Sequence, residues 1–243
     1  MAFLQGPSPK QEEMIKQELN ELPGEMERGI RDLRSMCAAN PYLPNPDALD
    51  THLLSLFLRG CRMDFERARK KLETFCYSRS RYRDLFEHRS LLEPPLNDVC
   101  KFLDIVPLPK VTDEGLRVTI FRMRPNYPES SSDIATAARA ILLISDARMH
   151  DETLIAGDAF IWEYYLHSKT EELLDHFPSR VLPVEWGGEE DSIEVLAKKW
   201  RRRVEDLREY LRHLNELCEV TPDDVYENNI YGAVGSFRKL DID

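Results

Sequence analysis

The spacing of apolar residues predicts helices along the first ninety residues. In three segments the apolar side chains recur at steps of three and four, the spacing of one helix face. The three segments are Pro23 to Cys37, Asn45 to Gly60 and Phe65 to Tyr77. Each helix has a single apolar stripe that must be buried against a neighbour. The pattern therefore predicts a small helical domain.

A different pattern follows after about Leu92. Two segments rich in β-branched and apolar residues, Leu116 to Met123 and Thr153 to Trp162, predict strands. Between them, Ser131 to Met149 has the apolar period of a helix. Strand, helix and strand in this order predict a βαβ unit with parallel strands and a right-handed connection. A two-stranded sheet is too small to be stable alone, so its apolar edges should promote association or partial unfolding.

The remaining segments are mostly helical in pattern. A short helix is predicted around Leu96 to Leu103 and another around Lys169 to His176, whereas Leu182 to Gly188 is predicted to be extended. Asp191 to Val220 has the longest helical period of the chain.

We therefore expect an α/β fold in which a small helical domain precedes a second domain with a reduced sheet and a long C-terminal helix. The predicted boundaries are 1–92 for the helical domain, 93–220 for the α/β domain and 221–243 for a C-terminal tail.

Charge and composition narrow the class of protein. The net charge is -11 and the pI is about 5.1, which argues against nucleic-acid binding because contact with phosphates needs clustered positive charge. Five widely spaced cysteines without a Cys-x-x-Cys pair favour a reducing compartment. Neither a signal peptide nor an apolar stretch of bilayer length is present. We expect a cytoplasmic protein.

Catalytic and metal-binding motifs are absent from the sequence. It has no G-x-S-x-G, no phosphate-binding loop, no G-x-G-x-x-G and no H-E-x-x-H. An acid/base pair could be imagined among four acidic residues, but nothing fixes their separation, so solvated loop charges are the favoured interpretation. These residues are Asp146, Asp151, Glu152 and Asp158. We expect no enzymatic activity and no cofactor.

One stretch is basic against the acidic background. Between Arg59 and Arg83 the sequence has nine basic residues and three acidic ones. Such a patch can hold anionic head groups. Alternatively, its arginines pair with acidic residues elsewhere, and the sequence does not decide between the two. The apolar faces of the predicted strands and helix likewise either line a cavity or fill a core.

Several segments together resemble a known family. They are LLSLFLRGCRMDFERARKKLE (53–73), RVTIFR (117–122), DIATAARAILLI (133–144), GDAFIW (157–162), HFPSRVLPVEWGG (176–188) and GSFRKL (235–240). These segments are similar to the CRAL-TRIO family of lipid-binding proteins, with FLRGCR and LPVEWGG as the most specific parts. The stretch of the family that follows GDAFIW has no counterpart, so the resemblance implies a lipid domain that lacks its central part.

The resemblance implies binding and intracellular transfer of a small hydrophobic lipid, of tocopherol or retinoid type, with contact to phosphoinositide-bearing membranes. By the same resemblance, pocket-facing positions are Phe121, Ala135, Ala138, Leu142, Phe160 and Trp162. Arg62 and Lys70 fall where the family's helical domain can contribute to a head-group site. The alternative function is a non-carrier interaction or membrane-surface module.

Overall fold

The computed structural model describes residues 3–87, 89–124, 134–163 and 170–218. In this part of the chain the protein is mixed α/β, with a helical N-terminal region and a small sheet. The segment GSFRKL and the predicted tail 221–243 lie outside the described residues.

Within the described residues, six α-helices precede the sheet. They are α1 (Pro9–Glu18), α2 (Glu25–Ala39), α3 (Thr51–Arg59), α4 (Phe65–Arg81), α5 (Arg83–Phe86) and α6 (Leu96–Val99). Side chains cap several of their first turns: Ser8 forms a capping box on α1, and Asp50 and Asp64 accept hydrogen bonds from the first turns of α3 and α4. The three predicted helices are therefore confirmed, with α4 one turn longer than expected.

The apolar stripes of α2, α3 and α4 form one core. Leu33, Leu54 and Leu72 are fully buried in it, and the helices contact one another pairwise. α2 and α3 approach closely at Gly29, where an added Cβ would meet the Leu58 side chain at 2.9 Å. We call residues 22–96 the helical unit.

The sheet has three strands in the described residues, not the two that were expected. They are β1 (Leu103–Val111), β2 (Leu116–Met123) and β3 (Gly157–Glu163), in the order β1-β2-β3. β1 pairs antiparallel with β2, and β2 pairs parallel with β3. β1 was missed because Pro107 and Pro109 interrupt it. Both are tolerated because β1 is an edge strand whose register shifts between Pro107 and Val111.

The predicted βαβ unit is confirmed as β2, α7 (Ile134–Asp151) and β3. The buried residues of α7 include Ala140, Leu143, Ile144 and Ala147, which belong to the core of the sheet. The helix continues to Asp151, two residues beyond its predicted end.

The C-terminal part differs from expectation at three places. The helix expected around Lys169 to His176 is a 3-10 helix over Thr170–Asp175. The long helix is divided into α8 (Ile193–Asp206) and α9 (Arg208–Leu217), with a break at Leu207. The segment expected to be extended forms a 3-10 turn over Val184–Trp186, which ends at Gly187 in the left-handed conformation.

The two C-terminal helices connect the sheet with the helical unit. Trp200 of α8 is fully buried, and its Nε1 donates a 2.8 Å hydrogen bond to the carbonyl oxygen of Pro107 in β1. Leu214 of α9 and Cys218 are buried in the core of the helical unit. Hence the last described helix completes the core that the N-terminal helices begin. Within the described ranges, none of the helices combines the length and apolarity that crossing a membrane requires.

Candidate functional site

An aromatic cluster lies on one face of the sheet. The register pairs Phe121 with Trp162 and Thr119 with Phe160, so these side chains share a face. The Trp162 ring stacks on Phe121 with centroids 4.2 Å apart, and Phe160 lies 6.0 Å from the same ring. Phe160 and Trp162 are 55% and 56% exposed, whereas Phe121 is buried. We call these three residues the aromatic face.

The structure brings together three of the six predicted pocket residues. The other three lie on α7, where Ala135 is exposed and Ala138 and Leu142 are half-buried. The residues that α7 buries most deeply are others, among them Ala140, Leu143, Ile144 and Ala147. The pocket assignment for Ala135, Ala138 and Leu142 stays a prediction.

Two sizeable cavities lie elsewhere in the described structure. One has a volume of about 520 Å³ and lies between α4, α5 and α9. The other, of about 350 Å³, lies between α3, the end of α7 and the start of β3, and is lined partly by Arg62. None of the six predicted pocket residues lines either cavity. The aromatic face is therefore a surface that belongs to neither of these two cavities.

Many arginines of the basic stretch pair with acidic residues. Arg59 forms an ion pair with Glu21 at 2.8 Å, and Arg69 pairs with Glu73 at 2.7 Å. Arg62 is exposed and lies 3.3 Å from Glu18, and Lys70 is exposed. The interpretation in which these arginines pair with acidic residues, one of the two left open by the sequence, thus describes several of them.

The acidic residues at the end of α7 are buried, which corrects the interpretation of solvated loop charges. Asp146, Asp151 and Glu152 are 3%, 7% and 3% exposed. Arg79 and Arg89 pair with Asp146, and Arg203 of α8 pairs with Asp151 at 2.6 Å. Asp158 is exposed and pairs with Arg148. Three of the four carboxylates are therefore centres of buried ion pairs.

Arg117 is the most buried of these arginines. Its Nε and Nη2 donate to the two carboxylate oxygens of Glu152 at 2.9 and 2.8 Å. Nη1 donates to the carbonyl oxygens of Leu108 and Pro109, and Nη2 also donates to that of Gln5. The guanidinium thus joins β2, β1, the end of α7 and the N-terminal segment.

These pairs set the protonation of the carboxylates. Burial alone would raise the pKa of Glu152, but the hydrogen bonds and charge of Arg117, with Arg148, lower it below its ordinary value. Burial likewise opposes ionisation of Asp151, and Arg203 and His150 lower the pKa of Asp151 in spite of it. Both carboxylates are therefore held ionised, as anchors for arginines.

No cluster of three or more His, Cys, Asp or Glu side chains suited to a metal ion occurs in the described ranges. All five cysteines are free and buried.

The comparison with protein families matches one part of the chain. Residues 22–96 match the family described as "Pinta-like, UBA domain", which corresponds to the helical unit. No curated protein matches the chain.

This match corrects the family suggested by the sequence. The family found is a UBA-type domain, and nothing in the comparison indicates a CRAL-TRIO lipid-binding module. The assignment to the CRAL-TRIO family, and the description as a CRAL-TRIO lipid-binding module that came with it, are therefore wrong. The sheet in the described residues is a three-stranded α/β unit and does not show a CRAL-TRIO-like domain.

Proposed function

We propose that this protein is a non-catalytic interaction protein that recognises a protein partner through the helical unit. The observation that carries the proposal is the match of residues 22–96 to a UBA domain, a ubiquitin-association type of domain, over a unit whose buried core is formed by its own helices and completed by Leu214 and Cys218. Ubiquitin is therefore the first partner to test.

Apolar side chains on the surface of the helical unit are the candidates for contact with ubiquitin. Protein interfaces depend on a few apolar and aromatic side chains that become buried on binding. Within the helical unit Leu22 is 64% exposed and Tyr82 is 48% exposed. Replacing either residue with serine removes apolar surface that contributes little to the fold.

Isothermal titration calorimetry of the full chain with ubiquitin tests the proposal. We expect saturable binding that Leu22→Ser or Tyr82→Ser weakens. Ile134→Ser is the matched control, because Ile134 is exposed and apolar but lies outside the matched residues. Absence of binding by the folded wild-type chain, or equal weakening by the control, would refute the proposal.

The aromatic face favours a second candidate function, the binding of a small hydrophobic molecule. Two aromatic side chains that are more than half exposed offer a surface for a small hydrophobic molecule of tocopherol or retinoid type. This candidate includes intracellular transfer of the ligand in the cytoplasm. It also includes transient contact with phosphoinositide-bearing membranes, at which the exposed Arg62 and Lys70 would meet anionic head groups.

Tryptophan fluorescence distinguishes this candidate from the first. Trp186 and Trp200 are buried, so a retinoid on the aromatic face should quench Trp162 most strongly. We expect Trp162→Phe to remove most of the saturable quenching, with Phe160→Ser weakening the binding. Quenching of the same amplitude in Trp162→Phe would exclude this surface.

A further inference from the structure

The larger cavity is a cleft rich in arginine. It lies where α4 and α5 of the helical unit meet α9, and has a volume of about 520 Å³. Arg79, Arg83 and Arg89 line it from one side, and Arg208 and Arg212 line it from α9. Phe86 supplies an apolar wall. This volume is in the range of sites for small organic molecules.

A buried triad lies at the base of the cleft. Asp146 accepts hydrogen bonds from both Arg79 and Arg89, and all three side chains are at least nine-tenths buried. One carboxylate between two guanidinium groups leaves an excess of one positive charge. Away from water, such an excess attracts an anion strongly.

One hydrogen-bond donor of this triad is unused. Nε of Arg79 is buried and has no hydrogen-bond partner, while the guanidinium lies over the rings of Phe75 and Phe86. A buried polar atom without a partner is uncommon in native proteins and requires an explanation. Because Arg79 also lines the cleft, an anion bound there would lie beside this charged side chain.

The mouth of the cleft adds further positive charge. Arg83 is exposed and forms no ion pair with a described residue, and its Nε donates to the backbone carbonyl oxygen of Ser80 at 3.3 Å. Arg208 and Arg212 form exposed ion pairs with glutamates, which contribute little and can be exchanged for a ligand. Three exposed glutamates oppose this charge at the rim: Glu93 and Glu216, which pair with Arg208 and Arg212, and Glu87.

We propose that this cleft binds the phosphate group of a small organic phosphate monoester, held by Arg79 and Arg83 with its organic part against Phe86. A phosphate monoester has three acceptor oxygens and a charge of about -1.5 to -2 at neutral pH, which suits several guanidinium donors. The source of the phosphate is either a soluble molecule or a lipid head group. The lining of the cleft does not include Leu22, Tyr82 or the residues of the aromatic face.

Titration of the full chain with phenyl phosphate tests the proposal. We expect saturable binding, and a loss of about tenfold or more in Arg83→Gln, the size of one charge-assisted hydrogen bond. Glu87→Gln should tighten binding by about threefold, because it removes one exposed opposing charge. Arg67→Gln is the matched control: Arg67 is an exposed arginine of α4 that does not line the cleft.

A parallel titration with phosphatidylcholine vesicles, with and without phosphatidic acid, separates the two sources. Binding of free phenyl phosphate that Arg83→Gln weakens supports a soluble ligand. Binding only to vesicles with phosphatidic acid, also weakened by Arg83→Gln, supports a lipid head group. The proposal is overturned if neither probe binds, or if Arg83→Gln binds as tightly as Arg67→Gln.

Discussion

Replacing Arg117 with methionine removes a buried guanidinium that joins four parts of the chain. Methionine keeps most of the side-chain volume but loses every hydrogen bond. Glu152 would keep only Arg148, at 3.3 Å, and the carbonyl oxygens of Leu108, Pro109 and Gln5 would lose a donor. The substitution therefore leaves a buried carboxylate with inadequate compensation.

The expected loss of folding stability is large for a single substitution. Removing one partner of a buried ion pair costs about 3–5 kcal/mol, because the other charge stays buried. For a chain of this size each kcal/mol lowers Tm by about 2–4 °C, so Arg117→Met should lower Tm by about 6–20 °C. The double variant Arg117→Met with Glu152→Leu should recover part of the loss, since no uncompensated carboxylate remains.

Urea unfolding of four proteins gives a double-mutant cycle: the wild type, Arg117→Met, Glu152→Leu and the double variant. We expect the two single substitutions to be strongly non-additive. A loss below about 1 kcal/mol in Arg117→Met would refute the reasoning, because that is the size of an exposed ion pair. A double variant as unstable as the sum of the singles would also refute it.

Three further predictions concern stability and association. Because the folded-state pKa values of Asp151 and Glu152 are lowered, the stability they supply is present above about pH 5 and is lost as the pH falls through those values. A Tm that stays constant down to about pH 3 would contradict this. Phe160→Ser with Trp162→Ser should reduce dye-detected apolar surface and self-association in light scattering, and unchanged dye binding would count against an accessible aromatic face. Leu214→Ala should destabilise the protein by about 2–5 kcal/mol in urea unfolding, because Leu214 is buried in the helical unit, and a loss under about 1 kcal/mol would show that α9 is not part of that core.

Helices α2, α3, α4 and α7 and two of the strands could be predicted because their signals are local, whereas α1 and α5 were not predicted. The apolar period of α2, α3 and α4, and the β-branched run of β2, depend only on neighbouring residues. β1 could not be predicted in this way. Its two prolines oppose a strand locally, and only the pairing with β2 makes the strand stable.

The break between α8 and α9 was hidden for a related reason. Apolar residues continue at steps of three and four through Leu207, so two helices on one apolar face give the same pattern as one. The 3-10 turn at Val184–Trp186 was missed because a short turn has no period of its own.

The buried ion pairs depend on partners that are remote in sequence. Asp146 pairs with Arg79 and Arg89, which precede it by 67 and 57 residues. No local pattern connects these residues, so the carboxylates were interpreted as solvated. The exposure of Phe160 and Trp162 likewise depends on the tertiary neighbours of β3. It could not be predicted from the residue types alone.

Chemical-shift mapping of the isotope-labelled full chain with ubiquitin tests the central claim most directly. We expect saturable shifts concentrated in residues 22–96, with Leu22 or Tyr82 among the affected positions and Leu22→Ser weakening the response. No shifts at saturating ubiquitin, or shifts confined to β3 and α7, would contradict recognition by the helical unit.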